Sequence, residues 1–236
     1  MDSAAINSFI PTLDQVDSWY EIFTLLPILI SLELLLSADN AVALASLTKS
    51  LESSLLRARA LNIGITISLL FRIFLILLSN LLLEFIFIRI FAGLYLIYLF
   101  FSNVFINSEP SISEKDNSKI HNKFKFLKVV VLLSITDFAF SIDSITTAVA
   151  ISDQYILIIF GALIGVLALR FTSGIFLKLL DKFSRLETAG YIAILIVGIK
   201  LLLNTLIKES ILPDYYFYIL ILFAFIWGFS RKESNT

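Results

Sequence analysis

The sequence predicts an all-α polytopic membrane protein of seven transmembrane helices, arranged as two inverted three-helix repeats plus a C-terminal helix. Three observations lead there: the composition, the number of long apolar runs, and an acidic motif that occurs twice. Of 236 residues, 58% are hydrophobic and 16% charged, and the mean hydropathy is +0.94. A water-soluble domain of this length has too little interior to hide so much apolar surface. The formal net charge of −1 gives no overall field for nucleic acid or an acidic partner. The absence of cysteine excludes disulfides, thiolate metal sites and thiol chemistry. The one histidine, His121, falls in a polar stretch, so a metal site here has to be built from oxygen ligands. Oxygen ligands suit hard ions such as Mn²⁺, Mg²⁺ or Ca²⁺.

A helix needs roughly 20 apolar residues to cross the hydrocarbon core. Seven stretches meet or approach this: Ile22–Leu47, Leu61–Leu83, Phe85–Ile106, Val129–Ile151, Tyr155–Leu177, Ala189–Ile207 and the shorter Tyr215–Phe229. Backbone groups in lipid must bond within their own segment, which makes these helices. Residues 1–21 carry Asp2, Asp14 and Asp17 but no Lys or Arg, which reads as an extracytoplasmic tail rather than a signal peptide. Thirteen basic residues fall on one side of the spans: Lys49, Arg57, Arg59, Lys115, Lys119, Lys123, Lys125, Lys128, Lys178, Lys182, Arg185, Arg231 and Lys232. The other side has Arg89 and Lys208. The positive-inside rule then places the N-terminus outside and the C-terminus in the cytoplasm, as an odd number of crossings requires.

Seven ionisable residues fall inside the predicted spans: Glu33, Asp39, Asp137, Asp143, Arg72, Arg170 and Lys200. Each costs at least a few kcal/mol at membrane depth, so each is expected to have a partner or a function. Their placement repeats. Glu33, Ser37, Asp39 and Asn40 match Asp137, Ser141, Asp143 and Ser144 at identical spacing, with a shift of 104. Arg72 aligns with Arg170 at a shift of 98, and Gly93 with Gly198 at 105. The first repeat is therefore residues 22–106 and the second 129–207, joined by a polar loop over 107–128, with the seventh helix and tail in 208–236. Each repeat crosses an odd number of times, so the second is inserted upside down. Many secondary transporters are built this way, with the binding site at the repeat interface.

On an ideal helix Glu33, Ser37 and Asn40 share one face, while Asp39 points elsewhere. The same holds for Asp137, Ser141 and Ser144 against Asp143. Either the helices unwind near Ser37–Asn40 and Ser141–Ser144, freeing carbonyl oxygens for a cation, or each Asp answers a different partner; the first is the favoured expectation. If the two motif helices cross, four carboxylates and several Ser and Asn oxygens converge into a divalent-cation site. Arg72 and Arg170 are expected as counter-charges that hold the acids ionised while the site is empty. Lys200, whose equivalent position is Tyr95, is either a proton-linked switch or a snorkelling side chain. The plainer alternative is that the acids serve only in structural ion pairs. Trp19, Trp227 and the Tyr215–Tyr218 cluster fit interfacial belts, and Gly161, Gly165 and Gly174 fit close helix packing.

These motifs resemble the paired signatures of the TerC family of integral membrane proteins. The resemblance extends to Gly64 with Arg72, to Leu169-Arg170, and to Val197-Gly198-Ile199-Lys200-Leu201-Leu202. It implies a fold similar to the LysE-type exporters, and Glu33, Asp39, Asn40, Asp137 and Asp143 lining a metal path. It also implies Mn²⁺, ahead of Ca²⁺, as the transported ion, with no permanently bound cofactor. Plastid relatives are associated with thylakoid assembly, so the alternative function is a biogenesis factor with a structural polar core, in a plasma or thylakoid membrane. An intramembrane aspartyl hydrolase ranks last, because no Gly-x-Gly-Asp segment is present, and the chain is not expected to be an enzyme. The expected partners are the bilayer and a divalent cation. A homo-oligomer is left open, and no nucleic acid is expected.

Overall fold

A computed structural model describes residues 19–79, 85–106, 119–152, 154–207, 213 and 215–232. Among these, seven α-helices follow one another and no strand is formed. They are α1 (Trp19–Leu47), α2 (Ser54–Leu77), α3 (Ile86–Phe101), α4 (Lys119–Ile151), α5 (Tyr155–Leu180), α6 (Ser184–Leu206) and α7 (Tyr215–Gly228). A π-helical turn, Ser102–Ile106, continues α3. By length and composition α2, α3 with its extension, α4, α5 and α6 are apolar and long enough to cross a membrane, whereas α7 is a shorter apolar helix of 14 residues. The chain is an all-α polytopic membrane protein.

The largest boundary difference from expectation is at the start of α4. The stretch Lys119–Lys128, read from sequence as loop, is the start of α4. At 33 residues this helix is about 50 Å long, against roughly 30 Å of hydrocarbon, so its Lys-bearing first turns project beyond the core. The apolar run marks only the lipid-immersed part of a helix, and polarity alone did not end it. Pro27 lies inside α1, which remains continuous.

The six longer helices pair in a reciprocal pattern. α1 packs most extensively on α5, α2 on α4, and α3 on α6; α1 also meets α4, α2 meets α5, and α7 lies on α6. Exchanging the first three helices for the next three converts the α1–α5 contact into α4–α2 and returns α1–α4, α2–α5 and α3–α6 to themselves. Glycines set the approach distances. Gly93 and Gly198 face each other across α3 and α6, each placing a backbone carbonyl 3.1 Å from where the other's Cβ would stand. Gly64 lies against Leu133 of α4, and Gly161 lies against Leu29 of α1. Gly174 differs from its expectation, since nothing lies within 4 Å of its Cβ position. Phe71, Phe74, Phe87, Phe91, Phe160, Phe171 and Phe223 are exposed, as lipid-facing side chains should be.

Candidate functional site

The unwound backbone expected at the two motifs does not form. The helix is unbroken from Trp19 to Leu47 and from Lys119 to Ile151. The hydroxyls of α4 occupy the carbonyls that unwinding would have offered. Ser141 donates to the Asp137 carbonyl (2.7 Å), Ser144 to that of Ser141 (3.2 Å), Thr146 to that of Ile142 (2.7 Å) and Thr147 to that of Asp143 (2.9 Å). These carbonyls each take a hydroxyl as well as their helical bond, so none is spare for a cation. In lipid a released carbonyl without a partner costs several kcal/mol. Any ion must therefore be held by side chains, and the two acids of one motif must serve different surroundings.

The first surroundings lie between α1, α2, α4 and α5. Arg72 of α2 is 2% exposed and donates through Nη1 to Glu33 Oε2 at 2.6 Å; Glu33 is 3% exposed. Through Nε the same guanidinium donates to Ser141 Oγ at 3.1 Å. One turn earlier on α2, the Ser68 hydroxyl donates to Asp137 Oδ2. The other carboxylate oxygen, Asp137 Oδ1, is buried and has no hydrogen-bond partner among the described residues. Gly165 of α5 covers Glu33 so closely that a Cβ there would lie 2.9 Å from its Cβ and Oε2. Two carboxylates, one from α1 and one from α4, are thus held in one buried cluster with one guanidinium of α2.

The second surroundings lie on the opposite face of α4. Asp143 Oδ2 accepts from Lys200 Nζ of α6 at 2.8 Å, and the ammonium also reaches the Tyr218 hydroxyl of α7 at 3.4 Å and lies 5.1 Å from its ring centroid. A narrow cavity of about 10 Å³, one water-sized position, touches Asn40, Asp143, Lys200 and Tyr218. Asn40 and Ser144 are buried. Ser37 and Asp39 lie on α1, but their side chains are outside the described residues.

Arg170 is not brought to either cluster. It is exposed, and no ion pair of it exists among the described residues. The contacts show why the sequence match misled. Gly64 meets Leu133 four residues before Asp137, and Gly161 meets Leu29 four residues before Glu33. Ser68 then meets Asp137 as Gly165 meets Glu33. Both pairs are 97 positions apart, so the partner of Arg72 is Leu169, which is buried, and not Arg170, which is turned 100° away from it. One guanidinium therefore serves the whole first cluster. The four-carboxylate convergence is likewise not seen among the described residues, where no group of three or more acidic or imidazole side chains is gathered.

Two contributors were missed from sequence. Ser68 was findable, since Gly64, Ser68 and Arg72 repeat every fourth residue on one face of α2. Tyr218 was assigned with Tyr215 and Tyr216 to an interfacial belt; those two are exposed, but Tyr218 turns inward to Lys200. A two-residue step on a helix changes the face by 200°, and an apolar helix hides which face is inward.

The comparisons agree with this architecture. The sequence profile described as "Integral membrane protein TerC family" matches residues 15–234. The chain is similar to the uncharacterized membrane protein YceF of Bacillus subtilis (strain 168), at 33% identity over 88% of this chain and 83% of YceF. It is also similar to the uncharacterized membrane protein YkoY of the same organism, at 29% identity over 78% of this chain and 61% of YkoY. The matched segment therefore spans about three fifths of YkoY. No solved structure matches the chain significantly. With a family profile covering nearly its whole length, the chain belongs to the integral membrane protein TerC family.

Proposed function

We propose that the protein transports a divalent metal cation across its membrane, and that the ion is Mn²⁺ carried out of the cytosol. The observation that carries this reading is Asp137 Oδ1, a carboxylate oxygen buried inside the bundle with no donor among the described residues, beside a Glu33 carboxylate paired with a single arginine. A purely structural acid would have both oxygens bonded, because an unsatisfied buried charge is strongly destabilising. A carboxylate oxygen left open next to a displaceable guanidinium is what a cation site needs when empty.

Entry of a dication would set its charge against that of Arg72. Glu33, Asp137, Ser68 and Ser141 then supply oxygen ligands, with retained water completing the shell, as hard ions of this class accept. Arg72 would give up its bond to Glu33 to the ion, since the two carboxylates and one guanidinium leave one formal negative charge for a dication to meet. Asp143 and Asn40 would form a second station on another face of α4, beside Lys200 and Tyr218. The upside-down relation of the two halves would let the same helices open to either side in turn.

The test is cellular metal content by elemental analysis in manganese-sensitive bacteria expressing wild type or Asp137→Asn at equal membrane levels. Wild type should lower cell Mn and restore growth, and the variant should do neither. Unchanged content of Mn and of every other divalent metal with both proteins would refute the reading, leaving the assembly-factor alternative.

A further inference from the structure

At the basic end of the bundle, the 3₁₀ turn after α1, the start of α2, the first turns of α4 and the start of α6 enclose an open cavity of about 610 Å³. Among the described residues its lining includes Lys49, Arg57, Lys125 and Lys128 but one acid, Glu187. Basic residues on this side have an ordinary explanation, since they hold loops in the cytoplasm and reach toward headgroups at the rim. That explanation does not require them to converge from separate elements on one concavity. Two of the four have anionic partners: Lys49 meets Glu187 at 3.2 Å, and Arg57 meets Asp181 at 2.8 Å while donating to the Leu51 carbonyl at 2.7 Å. Lys125 and Lys128, three residues apart on one face of α4, make no ion pair among the described residues.

We infer that this cavity binds a phosphate-bearing anion, either inorganic phosphate or the phosphodiester headgroup of an anionic lipid. Lys125 and Lys128 hold it from α4, and Lys49 and Arg57 face it across the opening. Cations gathered in a concavity with low-dielectric walls repel one another more than on an open surface, and a bound anion with several acceptor oxygens offsets that repulsion. The site is independent of the cation clusters in the core. It also bears on them, because an empty basic mouth repels a dication approaching from this side and a phosphate removes that barrier.

The test uses the full-length protein in neutral detergent, with the thermal midpoint followed as sodium phosphate replaces sodium chloride at constant ionic strength. It is repeated in nanodiscs of phosphatidylcholine with and without phosphatidylglycerol. A saturable rise of about 2–4 °C or more in wild type, absent from Lys125→Gln/Lys128→Gln, supports the site and makes free phosphate its ligand. A rise produced only by phosphatidylglycerol, again absent from the variant, supports it with a headgroup as ligand. Equal responses of wild type and variant to both anions overturn it. Should the variant not fold, protection of Lys125 and Lys128 in wild type against amine acylation decides the matter, and no protection by either anion overturns the site. Phosphate binding that appears only in Glu109→Gln/Glu114→Gln/Asp116→Asn also overturns it, because the preceding loop's carboxylates would then be the resident anion.

Discussion

The two oxygens of Asp137 have different fates, one bonded by Ser68 and one buried without a donor among the described residues. Asp137→Asn replaces the charge at nearly constant volume and leaves Ser68 an acceptor. It should abolish Mn resistance while shifting the thermal midpoint of the purified protein by no more than a few degrees, read side by side on the same preparation. Glu33 and Arg72 are both nearly inaccessible and meet at 2.6 Å. Removing either one strands a buried charge, which costs about 3–5 kcal/mol. Glu33→Gln and Arg72→Met should each lose about that much in reversible unfolding in mixed micelles, and the double variant should lose much less than their sum. Additive losses would mean that the pair is not coupled.

Among the elements, α5 owes its closeness to α1 to two glycines. Gly165→Ala puts a methyl carbon against Glu33, and such overpacking costs about 1–3 kcal/mol. Because the atom displaced is a candidate ligand, transport should fall further than that loss of stability alone would cause. Gly174→Ala, one helix face away in open space, should keep full transport and gain up to about 1 kcal/mol from helix propensity. Metal content and melting measured on the two variants separate a site effect from a packing effect. The connection between repeats also narrows once α4 is seen to begin at Lys119. Scrambling 107–118 should leave transport intact, whereas an assembly factor relying on that Lys-bearing loop would lose activity in the growth assay.

For the whole molecule, the orientation expected from the charge distribution is open to direct measurement, since the sequence has no cysteine of its own. A cysteine placed at exposed Ser50, between α1 and α2, should react with an impermeant maleimide only after the cells are opened. One at exposed Pro213, between α6 and α7, should react in intact cells. Labelling of both from the same side would mean that the helices between them do not cross an odd number of times. The burial of these charges matters at this scale too, because the bilayer tolerates them only when they are paired or facing the bundle interior.

The sequence by itself determined the membrane class, the helical fold and the identity of the acids, because lipid imposes rules that composition and run length express directly: apolar spans, internal backbone bonding, rare charges. Glu33, Asp137, Asp143 and Arg72 could be picked out for that reason, from rarity rather than from geometry. The tertiary structure alone decided who meets whom. Register between helices depends on which small residue lets which neighbour approach, and that is why Arg170, one residue past buried Leu169, faces outward while Arg72 joins Glu33 to Ser141. It also decided that the motif helices stay unbroken, since hydroxyl bonds to the i−4 carbonyls are set by local geometry that spacing does not reveal. Charges in a membrane protein can be read along the chain, but their partners depend on the angle at which each helix presents them.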